Sequence, residues 1–344
     1  MQTDAHLWAE RFDGDTLDLF ALQDEVTSRI AVALNLELVA AEAVRPTEYP
    51  DALDYILRGR AALLKPGRGG YAQAIDLFER ALALDSGSAQ AQSLLAGVLV
   101  NRVLDGMTNL AADDIARAEG LADRALATSP HSPVAHFAKG QVLRVQGRLE
   151  ETISEYETVL TFDRNWVGAL AAIGRCKIYI GPIVEAIPAQ EQAIRLSPRD
   201  PMIGFWYFRI GEAHLLQSHI DEAILWFERA RNANPRIPFF HANLASAYAL
   251  KGETERAAAA LAEARRLDTQ GHYSTIARLR LWRSLSQDRG ARPEIRALFE
   301  DTFFAGLRKA GMPEEWAGPL PYRTGSEALH TAILAPRSGP IIRS

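Results

Sequence analysis

Residues 211–235 read GEAHLLQSHIDEAILWFERARNANP, and this stretch decides the fold. Its second half places its apolar side chains on one helical face, and these are Ala223, Ile224, Phe227 and Ala230. Gly211 is small enough for the first helix to approach the second closely, and Phe227 of the second helix fills the space between them. Pro235 follows the second helix, where proline ends a helix and lets the next begin. The stretch therefore predicts a helix–turn–helix hairpin with an apolar face that it cannot bury alone.

The same pattern recurs along the chain. The small residues of the four most regular copies are Gly140, Gly174, Gly211 and Ala245, at steps of 34, 37 and 34 residues. Looser copies precede them, one containing Gly59 and one containing Gly97, and an insertion around 104–112 predicts a longer loop in the second. A turn rich in glycine and proline, residues 65–70, is expected inside the first copy. Six stacked hairpins are the prediction.

A period of about 34 residues with a small residue in helix A, then alanine, an aromatic residue and proline, resembles the tetratricopeptide repeat (TPR). The resemblance implies an all-α, right-handed superhelix of about six helix-turn-helix repeats. It also implies a concave groove, lined by the first helix of each repeat, that binds proteins or peptides and does not catalyse.

The family's groove positions carry over residue by residue to this sequence. They give Arg102, Phe137, Gln141, Arg144, Arg175, Tyr179, Phe205, Phe208, Glu212 and Phe239. Arginine pairs bidentately with carboxylates and aromatic rings supply contact area, so this set suits a peptide with apolar anchors and some acidic character. An alternative stays open: the aromatic residues pack against neighbouring helices, or the C-terminal helices fill the groove.

The two ends of the chain extend the resemblance. HLWAERFDG (6–14) followed by LDLFALQDEVTSRIAVAL (17–34) resembles the last strand and helix of the TolB-like α/β domain that precedes TPR arrays in bacterial signalling proteins, and FFAGLRKAGMPEE (303–315) resembles the ending of cyclase-linked members. We expect a short α/β remnant over 1–44, the TPR array over 45–270, C-terminal capping helices over 271–316 and a flexible tail over 317–344. The resemblance implies an upstream class III cyclase domain or winged-helix DNA-binding domain as a covalent or non-covalent partner.

Composition and motifs predict no catalytic residues, no cofactor and no metal. The net charge of -5 gives no general attraction to nucleic acid or acidic membranes. Cys176 is the single cysteine, and the pairs His214/His219 and His131/His136 lack the four-residue spacing of metal ligands on a helix. Asp113 and Asp114 fit an exposed helix start better than a magnesium site. With no signal peptide pattern or apolar membrane span, we expect a cytoplasmic location.

The sequence thus predicts a non-catalytic interaction scaffold, the regulatory or sensory TPR region of a bacterial signalling protein. Two alternatives remain at this point. One is a fragment or subunit of a class III adenylate or guanylate cyclase without its catalytic domain, and the other is part of a winged-helix transcription regulator.

Overall fold

In a computed structural model of the chain, the described residues are 51–63 and 68–315, together with the isolated positions 26, 27 and 30. Six antiparallel helix pairs follow one another along these residues and form a solenoid. Their helices are α1 (Ala52–Ala62), α2 (Arg68–Leu84), α3 (Ala89–Leu104), α4 (Ala111–Thr128), α5 (Pro133–Val145), α6 (Leu149–Phe162), α7 (Val167–Ile180), α8 (Ala186–Leu196), α9 (Ile203–Leu216), α10 (Ile220–Ala233), α11 (Pro238–Lys251) and α12 (Thr254–Leu267). No β-strand occurs among the described residues, so the all-α prediction and the predicted number of repeats are confirmed.

Close approach of the two helices within a repeat depends on the small residue of the first helix. A Cβ placed on Gly211 would lie 2.6 Å from the Phe227 ring, and one placed on Gly140 would lie 2.5 Å from the Tyr156 ring. Both rings are fully buried. The core of these repeats is therefore built, as predicted, by a small residue on the first helix that packs against a large ring on the second.

The predicted turns are present, with one shift in position. Gly147 and Gly252 have φ values of 79° and 89°, a backbone region that favours glycine at the end of a helix. The insertion in the second repeat becomes the loop 105–110 between α3 and α4. In the first repeat, α2 already begins at Arg68, inside the stretch expected to be a turn, because no proline follows Pro66 to interrupt the helix.

The predictions for the two chain ends fall mostly outside the described residues. The expected strand at 6–14 and the tail at 317–344 lie outside them entirely. Within the expected helix at 18–38, only Val26, Thr27 and Ile30 are described, and all three are helical.

A second unit follows the array. Helix α13 (Ile276–Leu285) is followed by α14 (Pro293–Phe299), which continues through a π-turn (Glu300–Phe304) into α15 (Ala305–Lys309). We call residues 276–309 the C-terminal hairpin. Its second arm contacts α7 near its start, α9 and α11 at the π-turn, and α11 again through α15. These are the first helices of repeats four to six, so the hairpin lies along the concave face of the array.

Candidate protein-interaction groove

The concave face formed by α7, α9 and α11, here the distal groove, is filled by the C-terminal hairpin. Ser246 of α11 donates its Oγ hydrogen bond to the Phe303 carbonyl oxygen at 2.9 Å. This carbonyl belongs to the π-turn, where the regular α-helical pattern is interrupted. The Tyr179 ring of α7 stacks on Phe299, with ring centroids 6.0 Å apart. The hairpin thus contacts the first helices of three consecutive repeats.

Four charged side chains are buried where the hairpin meets α9. Arg209 pairs with Glu212 on α9, and Arg283 of the hairpin pairs with Asp288 through two hydrogen bonds of 2.7 and 2.9 Å. Arg283 Nη2 also lies 3.6 Å from Glu212 Oε1, which joins the two pairs. Burial by itself lowers the pKa of Arg283, but the Asp288 carboxylate beside it raises that pKa above its ordinary value. Two positive and two negative groups therefore balance each other inside the protein.

Three of the residues predicted for the groove lie beneath the hairpin. Tyr179, Phe208 and Glu212 are 1%, 0% and 0% exposed. Tyr179 also accepts a hydrogen bond from Arg209 at 2.8 Å through its hydroxyl oxygen. In this conformation these side chains form the internal contact between array and hairpin and do not face solvent.

Two other predicted residues lie at the rim of the distal groove. Phe205 of α9 and Phe239 of α11 are half-buried, and their ring centroids are 5.8 Å apart. Both also contact the fully buried Phe240. They combine a packing role with a partly accessible aromatic surface.

Arg102 points away from the other predicted groove residues and into its own repeat. Its Nε and Nη2 donate to the two carboxylate oxygens of Asp114 on α4, at 3.1 and 2.5 Å. Asp114 is 5% exposed, so the pair is largely shielded from water. Asp114 therefore has a structural role, as expected, but it forms a buried ion pair and does not belong to an exposed helix face.

The remaining predicted residues line what we call the central window, formed by Phe137, Gln141 and Arg144 of α5 and Arg175 of α7. All four are half-buried. Arg144 Nη2 lies 3.4 Å from Asn101 Oδ1, while its Nε is buried without a hydrogen-bond partner. Arg175 lies 6.0 Å from the Tyr179 ring centroid. Neither guanidinium forms an ion pair with a described residue.

The turn of the C-terminal hairpin, residues 286–292, borders this window; we call it the hairpin tip. Arg289 donates a hydrogen bond to the Val145 carbonyl oxygen, and the Arg292 backbone N–H donates to the Tyr179 carbonyl oxygen at 2.9 Å. A Cβ on Gly147 would lie 3.1 Å from the Gly290 nitrogen, so the backbones of the hairpin tip and of the turn after α5 are in contact. Burial lowers the pKa of Arg289. The sequence offered no motif that would place this arginine beside α5.

Cys176 and two of the histidines, His214 and His241, are packed within the repeats. Burial raises the pKa of Cys176 to about 12, and this outweighs the opposite effect of Arg144 and Arg209. His241 forms a 2.8 Å hydrogen bond with the Pro235 carbonyl oxygen, and burial lowers the pKa of His214. The described part of the chain holds no group of three or more side chains arranged for a metal ion. It likewise holds no helix with the length and apolar character to span a membrane.

Comparisons with known proteins agree with this geometry. A family model of the tetratricopeptide repeat matches residues 106–165. A protein named putative adenylate cyclase 3 from Rhizobium meliloti (strain 1021) is 33% identical over 153 residues, which are 43% of this chain and only 26% of that protein.

The solved structures that the chain resembles are more distant in sequence. The Cut9 and Hcn1 hetero-tetramer of the APC/C gives a TM-score of 0.57 at 15% identity, covering 78% of this chain and 49% of that chain. PilF of Pseudomonas aeruginosa gives 0.48 at 17% identity, covering 64% of this chain and 94% of that chain. The repeated spacing, the six stacked helix pairs and the family match at 106–165 lead to one conclusion: the chain contains tetratricopeptide repeats that form a superhelix, and it resembles part of a putative adenylate cyclase.

Proposed function

We propose that this protein is a non-catalytic, cytoplasmic interaction scaffold that serves as the regulatory or sensory TPR region of a bacterial signalling protein. A peptide segment of the partner binds the central window of the array at 45–270. The observation that carries the proposal is the contrast within one concave face. The hairpin buries the distal groove, whereas Phe137, Gln141, Arg144 and Arg175 stay half-exposed, and Arg144 Nε has no hydrogen-bond partner among the described residues.

The rim residues Phe205 and Phe239 extend the window along the edge of the hairpin. Half-buried aromatic rings supply large contact areas at low entropic cost, which is why they are enriched where proteins bind. An extended peptide crossing α5 and α7 would reach these rings without displacing the hairpin.

A second candidate concerns the setting of the scaffold. Because the R. meliloti relative is named as a putative adenylate cyclase and is much longer than the matched region, a class III cyclase attached to the array or associated with it is the output that we favour. The array would then transmit partner binding to the catalytic domain. A winged-helix output domain remains the other alternative.

Site-specific photo-crosslinking in cells tests the binding site. p-Benzoylphenylalanine at position 137 should give a discrete crosslinked product, because this ring faces the window. The same residue at position 162 is the matched control, since Phe162 is an aromatic residue, 49% exposed, at the end of the second helix of the same repeat. Products should be analysed by mass spectrometry to identify the partner and to ask whether it contains a cyclase domain.

Crosslinks from position 162 but not from position 137 would contradict the proposed site. Crosslinks from neither position, with both variants folded and expressed, would contradict a window-binding partner altogether.

A further inference from the structure

Two sets of arginines near the concave face differ in how their charges are paired. Arg102, Arg209 and Arg283 are largely buried, and each forms an ion pair with a carboxylate. Arg144, Arg175 and Arg289 are also half-buried, yet none of them forms an ion pair with a described residue. The second group surrounds the central window.

Withdrawing a guanidinium from water without a counter-ion is unfavourable, so such groups are usually paired or exposed. The first group follows this rule, whereas the half-buried Arg231 and Arg278 form no ion pair with a described residue and bind Asn232 Oδ1 and the Gln270 carbonyl oxygen. The Asp105 carboxylate interacts electrostatically with Arg144, so the window carries three guanidiniums against one nearby carboxylate. Arg144 Nε also has no hydrogen-bond partner in the described part of the chain. Carboxylates are the groups that arginine forks bind with two parallel hydrogen bonds.

The hairpin tip binds the ends of the two helices that carry Arg144 and Arg175, through Arg289 to Val145 and Arg292 to Tyr179. Arg289 of the hairpin tip binds the carbonyl oxygen of Val145, the residue that follows Arg144. The charge of Arg144 acts to lower the pKa of the Cys176 thiol, and Cys176 directly follows Arg175 in α7. The hairpin tip is therefore a wall of the window and contributes one of its charges.

An apolar surface lies at the edge of this opening. The half-buried Phe137 ring packs against Tyr156 and Trp166, with ring centroids 5.1 and 6.0 Å away. A Cβ on Gly168 would lie 3.3 Å from the same ring, so the first turn of α7 packs closely against Phe137 because residue 168 has no side chain. A large apolar side chain of a ligand can rest on this surface while neighbouring carboxylates meet the arginines.

We propose that α5, α7 and the hairpin tip together form a docking site for an acidic peptide segment with one aromatic or large aliphatic anchor, presented by a separate protein. This inference rests on the proposed function and adds the chemistry of the partner and the role of Arg289. Specificity then comes from a residue of the C-terminal hairpin as well as from the repeats.

A random dodecapeptide library displayed on phage and selected against the full chain tests this chemistry. The wild type should enrich peptides rich in Asp and Glu around an aromatic or aliphatic residue. The variant Arg144→Glu/Arg289→Glu should lose them and enrich basic peptides, because the charge of the window is reversed. Arg296→Glu is the matched control, since it is the same change at an exposed, unpaired position of the hairpin, and it should keep the acidic preference.

Affinities of one selected acidic peptide, measured by fluorescence anisotropy, separate the parts of the proposal. Arg289→Glu should weaken binding about tenfold or more, and Arg289→Lys should retain most of it because the charge remains. Circular dichroism of each variant verifies folding, and Arg289→Gln replaces Arg289→Glu if the latter is destabilised.

Several results would overturn the inference. Enrichment of neutral or basic peptides by the wild type would refute the acidic chemistry while leaving a window-binding partner intact. Equal affinities for wild type and Arg289→Glu, with loss only in Arg144→Glu, would remove the hairpin tip from the site. Absence of any window-dependent binding would overturn both the inference and the proposed function.

The acidic N-terminal segment of the same chain is the competing occupant. Residues 1–50 contain ten acidic and three basic residues. If Asp13→Asn/Asp15→Asn/Asp18→Asn in the full chain raises the affinity for the selected peptide about tenfold, this segment occupies the window and the commitment to a separate partner is wrong. An unchanged affinity supports the separate partner.

Discussion

The concave faces of repeats two and three and of repeats four to six are built from the same sequence pattern but are buried in different ways. In the first region α3 and α5 pack directly against each other, and a Cβ on Gly97 would lie 2.6 Å from Gln141 Oε1. In the second region the hairpin is inserted along α7, α9 and α11. The comparison teaches that the repeat pattern fixes how helices pair within a repeat, while the residues at groove positions decide what covers the concave face.

The charged cluster of the distal groove should give the largest effect in this comparison. Glu212→Gln removes the carboxylate between Arg209 and Arg283 and leaves two buried guanidiniums with one carboxylate. We expect the free energy of unfolding to fall by about 3–5 kcal/mol, as is typical when one partner of a buried ion pair is removed. Urea denaturation followed by circular dichroism measures this change.

The matched control is Glu222→Gln, the same substitution at an exposed position of α10 in the same repeat. It should change the unfolding free energy by less than about 0.5 kcal/mol. Similar effects of the two variants would mean that the cluster does not hold the hairpin in place.

An intermediate effect is expected where the hairpin touches α11. In Gly306→Ala the new methyl group would lie 2.2 Å from Ser246 Oγ and 2.5 Å from the Ser246 carbonyl oxygen. Because a backbone atom cannot move aside cheaply, the hairpin must shift, and we expect a loss of about 1–3 kcal/mol. Thermal unfolding of the full chain provides the measurement.

Gly97→Ala in repeat two is the comparison for Gly306→Ala in the hairpin. Its methyl group meets only the end of the flexible Gln141 side chain, and alanine favours a helix over glycine by roughly 0.5–1 kcal/mol. The variant should therefore be close to neutral. A Gly97→Ala protein less stable than Gly306→Ala would reverse our assignment of the tighter contact.

The smallest effect concerns the loop that leads from the array to the hairpin. Burial opposes ionisation of Asp268, but hydrogen bonds from His272 and from the backbone N–H groups of Tyr273 and Gln270 hold its pKa below the ordinary value. A depressed carboxylate pKa adds stability above the unfolded-state pKa of about 4, and this stability is lost as the pH falls through the lower folded-state pKa. Melting temperatures at decreasing pH should thus fall less steeply for Asp268→Asn than for the wild type; parallel curves would contradict this role.

The sequence predicted what depends on local spacing and missed what depends on distant contacts. Gly211 and Phe227 lie within one period, so their contact follows from the pattern. The contact of Ser246 with Phe303 joins residues 57 positions apart, and no local pattern encodes it. The two helices after the array were predicted as elements, but their site along the concave face was one of two open alternatives.

The same limit explains the candidate site. Phe137, Gln141, Arg144 and Arg175 follow from groove positions of the repeat. Arg289 does not, because its role depends on the hairpin tip reaching Val145. Arg102 shows the reverse case, since the repeat pattern nominates it but Asp114, twelve residues later, binds it instead.

The hairpin also has a consequence for how the chain folds. In a simple solenoid each repeat touches only its neighbours, so the ends can unravel one repeat at a time. Here the bond between Arg289 and Val145 spans 144 residues, and the same hairpin reaches Tyr179 and Ser246. Repeats four to six, with the end of repeat three, should therefore unfold as one cooperative block that forms slowly because its contacts are non-local. The helices α1 to α4 lie outside this block and should open first, so hydrogen exchange should divide the array at α5.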